Sequence, residues 1–280
     1  MAAEQVILIT GCSSGIGRAT ALEAARRGHR VFASARNRND LAELERGENL
    51  AAIRLDVTDP DSIRAAVETV RARAGRLDAL VNNAGYGQYG AVEEVTPEEW
   101  RAQFDVNLFG TIDMTRAALS EMRKAGRGTI VMVSSVAGKI SIPFSAPYCA
   151  SKHAMEAVAD ALRVEVSPFG IRVVLVEPGP IQTRFGERAR SGVAPLLSRP
   201  GPYRDFYTHA ERAMDSDFQK GMLPAEAVAR VILDAIEAER PRTRYPVGLM
   251  AKVLIPVKRL LPDRWVDRMM RKSLKMPGGA

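Results

Sequence analysis

Thr10-Gly11-Cys12-Ser13-Ser14-Gly15-Ile16-Gly17-Arg18 follows directly on the apolar run Val6 to Ile9 and opens a helical pattern over residues 15–27. A β-branched run that passes through glycines into a helix is a strand–turn–helix unit. The glycines allow a tight turn and close approach to the backbone, and the new helix offers free N–H groups and the positive end of its dipole. Such a turn suits a pyrophosphate. Its spacing, G-x-x-x-G-x-G, differs from the G-x-G-x-x-G of many dinucleotide-binding turns.

Outward from this unit the same rhythm repeats. Strands are expected at 5–10, 30–34, 51–55, 77–81, 129–134, 171–177 and 243–247, and helices at 15–27, 60–74, 97–123, 148–167 and 224–239. Asp59-Pro60, Thr96-Pro97 with Glu98 and Glu99, and Leu223-Pro224 supply helix starts. Buried apolar strands alternating with amphipathic helices predict an α/β fold: a Rossmann-type, doubly wound, seven-stranded parallel sheet with helices on both faces. With no repeat or low-complexity linker, residues 1–248 read as one domain. Within it, 183–221 is a long connection over the site, and 249–280 is a C-terminal helical extension.

The second strand bears on the ligand. An NAD site wants a carboxylate at that strand's end for the ribose hydroxyls, and an NADP site wants a cation for the 2′-phosphate. Here the strand runs Ala33-Ser34-Ala35-Arg36-Asn37-Arg38, with no acid and with Arg36 placed to grip phosphate. NADP(H) is therefore preferred, with NAD(H) as the alternative.

The chain has 280 residues, 46% hydrophobic and 26% charged, which excludes a mostly disordered protein. Its 40 Lys plus Arg exceed 33 Asp plus Glu by +7. Residues 251–280 hold eight basic side chains, Lys252, Lys258, Arg259, Arg264, Arg268, Arg271, Lys272 and Lys275, against Asp263 and Asp267, so +6 of the charge lies there. The basicity belongs to the tail, and no nucleic-acid module accompanies it. Two cysteines fit a reducing compartment, and the run 247–261 is broken by Gly248, Lys252, Pro256, Lys258 and Arg259, too short to span a bilayer. A cytoplasmic protein is expected. The apolar, basic tail would pack at the substrate entrance, meet a second subunit, or touch an anionic membrane surface peripherally.

Tyr148 and Lys152 stand four apart at the head of a helix and share a face. A phenol is a poor acid near neutrality, and an adjacent ammonium is expected to lower its pKa. Upstream of Tyr148 the strand 129–134 runs into Ser134-Ser135-Val136-Ala137-Gly138, which brings a hydroxyl to the sheet edge, where it can donate to a developing alkoxide.

Together these motifs resemble the short-chain dehydrogenase/reductase family, densely from residue 5 to about 185, and within it the 17β-hydroxysteroid and retinol dehydrogenase branch. The resemblance implies that Gly11, Ser13, Ser14, Gly15, Ile16 and Gly17 form the cofactor loop, and that Asp56 and Val57 flank the adenine. Asn83, Ala84 and Gly85 line the ribose, while Pro178, Gly179, Ile181 and Thr183 hold the nicotinamide side. Asn107, at a helix distortion, completes a tetrad with Ser135, Tyr148 and Lys152 and holds a proton-relay water on the lysine; Tyr148 and Lys152 also hold ribose hydroxyls. The resemblance also implies Ser135 rather than Ser134, because its distance from Tyr148 matches the family's, and leaves Ser134 as a structural neighbour.

His153 reads as structural or exposed, His29 and His209 as isolated, and three His with two Cys offer no metal set. Cys12 and Cys149 read as small apolar groups, although Cys12, in the glycine turn, invites thiol reagents. Ile140, Ile142, Pro143, Phe144, Phe185, Tyr203, Phe206 and Tyr207 give the substrate wall an aromatic, apolar character. The expected activity is NADP(H)-dependent interconversion of a carbonyl and an alcohol on a bulky apolar substrate, by a homodimer or homotetramer. A 3-oxoacyl-type ketoreductase, an NAD-dependent alcohol dehydrogenase and a non-catalytic dinucleotide-sensing scaffold are the alternatives.

Overall fold

The computed structural model describes residues 3–44, 47–183, 196–197, 201–208 and 222–273. The strands are β1 Val6–Ile9, β2 Arg30–Ala35, β3 Leu50–Arg54, β4 Ala79–Asn82, β5 Gly128–Val133, β6 Ile171–Pro178, β7 Ile181–Gln182, β8 Leu223–Pro224 and β9 Arg244–Val247. All but β7 and β8 form one parallel sheet in the order β3-β2-β1-β4-β5-β6-β9. This is the doubly wound, Rossmann-type arrangement that the sequence predicts, and its order reverses between β1 and β4.

The alternation of side chains across the sheet builds two cores. Val6 and Leu8 point to one face, under α2 (Pro60–Ala74), α4 (Gly110–Ala125) and α5 (Ala146–Val166). Ile7 and Ile9 point to the other, under α1 (Gly15–Arg26) and α6 (Ala225–Glu237). All four are essentially inaccessible, which explains why β1 reads as a continuous apolar run.

Local chemistry starts the helices as expected. The Asp59 side chain accepts from the Asp61 N–H (2.9 Å) ahead of Pro60. Thr96 and Glu99 close a reciprocal capping box on α3 (Pro97–Phe104). The single helix expected over 97–123 is instead two helices joined by a π-turn, Asp105–Phe109. Gly110, which follows that turn, passes so close to Val57 that a Cβ there would sit 2.7 Å from its carbonyl oxygen, and the chain can pass only without one.

The short parallel pair β7–β8 brackets the long connection, and 184–195, 198–200 and 209–221 lie outside the described residues. After β9 the tail forms α7 (Leu249–Leu260) and α8 (Asp263–Ser273). Pro256 does not interrupt α7. It is exposed, so the carbonyl it leaves unbonded can reach water, and the break comes at Leu261-Pro262.

Candidate active site

The reversal of strand order sets the loop after β1 against the loop after β4, and one threonine joins them. Thr10 Oγ1 accepts from the backbone N–H of Asn83 and of Ala84, both at 2.9 Å. Asn83 Nδ2 returns bonds to the carbonyls of Thr10 (2.9 Å) and Gly11 (3.1 Å). Gly11 has φ 73, and a Cβ on it would lie 2.9 Å from Ala84 Cα. A Cβ on Gly17 would lie 2.5 Å from Asn83 Nδ2, so only glycine lets α1 begin this close to the sheet. Ser14 is the N-cap of α1, yet its side chain makes no capping bond and the first turn holds no acid. The N–H donors of that turn are left for an anion, and the donor set fits a pyrophosphate.

Ser13, Ser14 and Ile16 are half-buried along this turn, and a Cβ on Gly15 would lie 3.0 Å from Thr183 Cγ2. Thr183 therefore leans over the cradle from the segment after β6. In that segment the Gly179 N–H donates to the Val247 carbonyl (3.0 Å), and Ile181, like Ile16, packs against the buried Ala19, Ala225 and Ala229. At the end of β2, Arg36 is exposed and no carboxylate stands there. Asp56, half-buried after β3, accepts from the Thr58 N–H (3.0 Å) and hydroxyl (2.8 Å). Burial opposes its ionisation, but these bonds with the charges of Arg36 and Arg54 hold its carboxyl below the usual range.

Ser135 follows β5 and caps a short turn, Val136–Gly138; its Oγ accepts from the Ala137 N–H (3.1 Å). The same hydroxyl is hydrogen-bonded to Tyr148. Ser134 is buried against Gly138, the structural neighbour the sequence suggests. One turn beyond Tyr148 on α5, Lys152 is buried; its Nζ donates to the Val133 carbonyl (2.8 Å) and lies 5.9 Å from the centre of the Tyr148 ring. Burial pushes the ammonium down to about 8, against the attraction of Glu156.

One expectation is corrected. Burial pushes the Tyr148 phenol up to about 12, with Ser135 pulling the other way, so the hydroxyl is a weaker acid than free phenol.

The π-turn places Asn107, fully buried, where its amide clamps the loop after β4. Oδ1 accepts from the Tyr86 N–H (3.1 Å), and Nδ2 donates to the Tyr86 carbonyl (2.9 Å) and to Ser151 Oγ (3.2 Å). Gly85 lies against it: a Cβ there would be 3.0 Å from Asn107 Oδ1. Gln103, absent from the sequence reading, works beside it. Equally buried, it donates to the Tyr86 carbonyl (2.9 Å) and accepts from the Gln88 N–H (2.6 Å). Its signal was available, because Gln103 and Asn107 stand four apart on one apolar helix face.

The aromatic wall is also present. Phe144 adopts φ 63, rare for a non-glycine, and its ring stands 5.3 Å from Tyr207, 5.9 Å from Tyr203 and 6.1 Å from Phe206. Tyr207 bonds Glu94 and the Ala91 N–H, and Tyr203 bonds Glu93 (2.6 Å), which ties residues 201–208 to the loop after β4. Phe185 and His209 lie outside the described residues. His153 turns back to the Cys149 carbonyl (2.9 Å), and His29 is buried against Glu237 (2.9 Å), both structural. Cys12 is buried and its thiol is pushed up to about 12, so the reagent sensitivity that its position invites does not follow. Among the described residues no group of three His, Cys, Asp or Glu could hold a metal.

Comparison with known proteins agrees with this geometry. A family model described as short chain dehydrogenase matches residues 5–194. An NADPH-dependent 3-dehydrocapnine reductase of Ornithobacterium rhinotracheale is 36% identical over 96% of each chain. A 3-ketodihydrosphingosine reductase of Bacteroides thetaiotaomicron is 36% identical over 95% of this chain and 97% of its own. Human 17-beta-hydroxysteroid dehydrogenase type 1 is 35% identical over 87% of this chain and 77% of its own. Among solved structures, a short-chain dehydrogenase from Streptomyces avermitilis superposes with TM-score 0.81 at 32% identity, covering 98% of both chains. With cradle, serine–tyrosine–lysine group and sheet order all in place, the chain belongs to the short-chain dehydrogenase family.

Proposed function

We propose that this chain is an NADPH-dependent reductase of a ketone carried on a bulky, largely apolar substrate, with Tyr148 as the proton donor. Its family is one of NAD(P)-dependent oxidoreductases that interconvert CH–OH and C=O. The observation that carries the reading is the grouping of Ser135, hydrogen-bonded to Tyr148, with the buried Lys152 one helical turn on, its Nζ 5.9 Å from the centre of the Tyr148 ring. A phenol held up to about 12 keeps its proton at neutral pH, the form that must donate when a carbonyl is reduced.

In this reading Gly11, Ser13, Ser14, Gly15, Ile16 and Gly17 would hold the pyrophosphate at the head of α1, and Arg36 the 2′-phosphate. Asp56 and Val57 flank the adenine, Asn83, Ala84 and Gly85 the ribose, and Pro178, Gly179, Ile181 and Thr183 the nicotinamide end. When bound, the reduced dinucleotide supplies hydride. Ser135 orients the substrate carbonyl and donates to its oxygen as negative charge develops there. Tyr148 Oη delivers its proton to the same oxygen, and the buried Lys152 charge stabilises the phenolate left behind. Asn107 keeps the loop at Tyr86 in place and anchors the water that returns a proton to Lys152.

The wall around Phe144 favours an apolar body beside the carbonyl. The two reductases with the greater coverage support a keto-bearing amphiphile, and the human relative supports a steroid as the second reading. The test is NADPH oxidation against 3-ketodihydrosphingosine, a 17-ketosteroid, retinal and an acetoacetyl thioester. Tyr148→Phe should lower turnover by about 10²–10⁴-fold while leaving NADPH affinity near wild type. Undiminished turnover in that variant removes the proton-donor assignment, and equal efficiency with NADH removes the cofactor preference.

A further inference from the structure

We propose that α7 and α8 form a docking surface for an anionic lipid bilayer, beside the segment that follows β6. At ~100° per residue, Leu249, Met250, Val253, Val257 and Leu260 fall within an arc of ~100° on α7, while Ala251 and Ile255 lie on the opposite side. Ala251 and Ile255 are buried against the body, yet the larger apolar arc is in solvent, with Leu249 79% and Leu260 85% exposed. A helix needs only one apolar face to pack on its own protein, so the second face is there for something else.

α8 repeats the pattern with more charge. Trp265 and Met269, both more than half exposed, share one side, and Arg264, Arg268 and Lys272 run in a stripe along the next. The Arg268 guanidinium lies over the Trp265 ring at 5.7 Å. Lys252 and Arg259 border the apolar arc of α7, and of the hairpin's two acids Asp263 is already paired with Lys258 at 2.8 Å. Exposed apolar side chains edged by cations match the interface of a bilayer with anionic headgroups. A second copy of this chain is the poorer occupant, because a two-fold contact would press two strongly cationic hairpins together. The surface adjoins the site: a Cβ on Gly179 would lie 3.8 Å from Met250 Cβ.

The test is sedimentation of the full chain with vesicles of phosphatidylcholine alone or with added phosphatidylserine. Binding to the anionic vesicles should exceed binding to the neutral ones at least tenfold and weaken with salt. The triple variant R264E/R268E/K272E should lose at least about 100-fold in partitioning, at about fivefold per charge. Trp265→Ser with Met269→Ser should lose about tenfold. Absence of anionic-vesicle binding overturns the proposal. So does unchanged binding by the charge-reversed chain, or loss in these variants of a dimer seen without vesicles. NADPH oxidation with a water-soluble ketone should be unchanged in both variants, so the outcome is independent of the substrate reading.

Discussion

Burial displaces Tyr148 and Lys152 from their ordinary protonation in opposite directions, the phenol upward and the ammonium downward. For the lysine this has a measurable cost. Its folded pKa of about 8 lies below the ordinary 10.5, so between these values the unfolded chain binds more protons and stability rises with pH. Lys152→Met should therefore unfold at a higher temperature than wild type below pH 8, and the difference should shrink as the pH approaches 10.5. A variant that melts lower than wild type at pH 7 would contradict this, whereas its turnover should collapse. The positions of Ser135, Tyr148 and Lys152 were legible because spacing on a strand end and one helix face is written in the chain. The sign of the phenol's shift was not, since it is set by the burial of Tyr148, which only the folded chain supplies.

At the scale of elements, the π-turn between α3 and α4 is the departure with most consequence. Periodicity over 97–123 marks one apolar face and so reads as one helix, and a single extra residue in a turn leaves no trace in composition. Its place came only through the resemblance that sets Asn107 at a helix distortion. There Asn107 satisfies the N–H and C=O of Tyr86 at once. Asn107→Ala should leave the Tyr86 N–H unpaired, while Gln103 still donates to the Tyr86 carbonyl, and cost about 1–3 kcal/mol. Thermal unfolding and steady-state kinetics should show a lowered Tm together with a lowered kcat, as Tyr86 and its neighbours shift. Retention of both would mean that Gln103 alone holds the loop. The helix starts at Pro60 and Pro97, by contrast, were legible to the residue, because their caps are local chemistry. Phe144 stands at the other extreme: no pattern marks a phenylalanine for a left-handed backbone, and the surrounding ring cluster is what holds it there.

Across the whole molecule, the edge strand β9 is fastened to α5 by charge. Arg244 meets Asp160 at 2.7 Å, Glu156 at 3.1 Å and Glu177 at 3.2 Å, and Lys139 meets Glu156 at 2.7 Å. Burial and the neighbouring Glu156 raise the Glu177 carboxyl, and the two cations oppose them. Arg244→Met should destabilise by about 3 kcal/mol, since it strands buried carboxylates, and should lower the melting temperature by several degrees. A melting point at or above wild type would show that the cluster repels more than it binds. None of these pairs could be read beforehand, because their members lie on a turn, a helix and two strands far apart in the chain. The doubly wound parallel sheet, in contrast, followed from alternating βα units and the position of the glycine turn.

Pro178 and Gly179 stand between two surfaces. Their backbone continues into Ile181 and Thr183 over the cradle, and Gly179 faces Met250 and Ala251 at the head of α7. Any ligand whose binding displaces this dipeptide changes the free energy of whatever rests on the hairpin. Thermodynamic reciprocity then fixes the return effect: the hairpin's partner must alter that ligand's dissociation constant by the same factor.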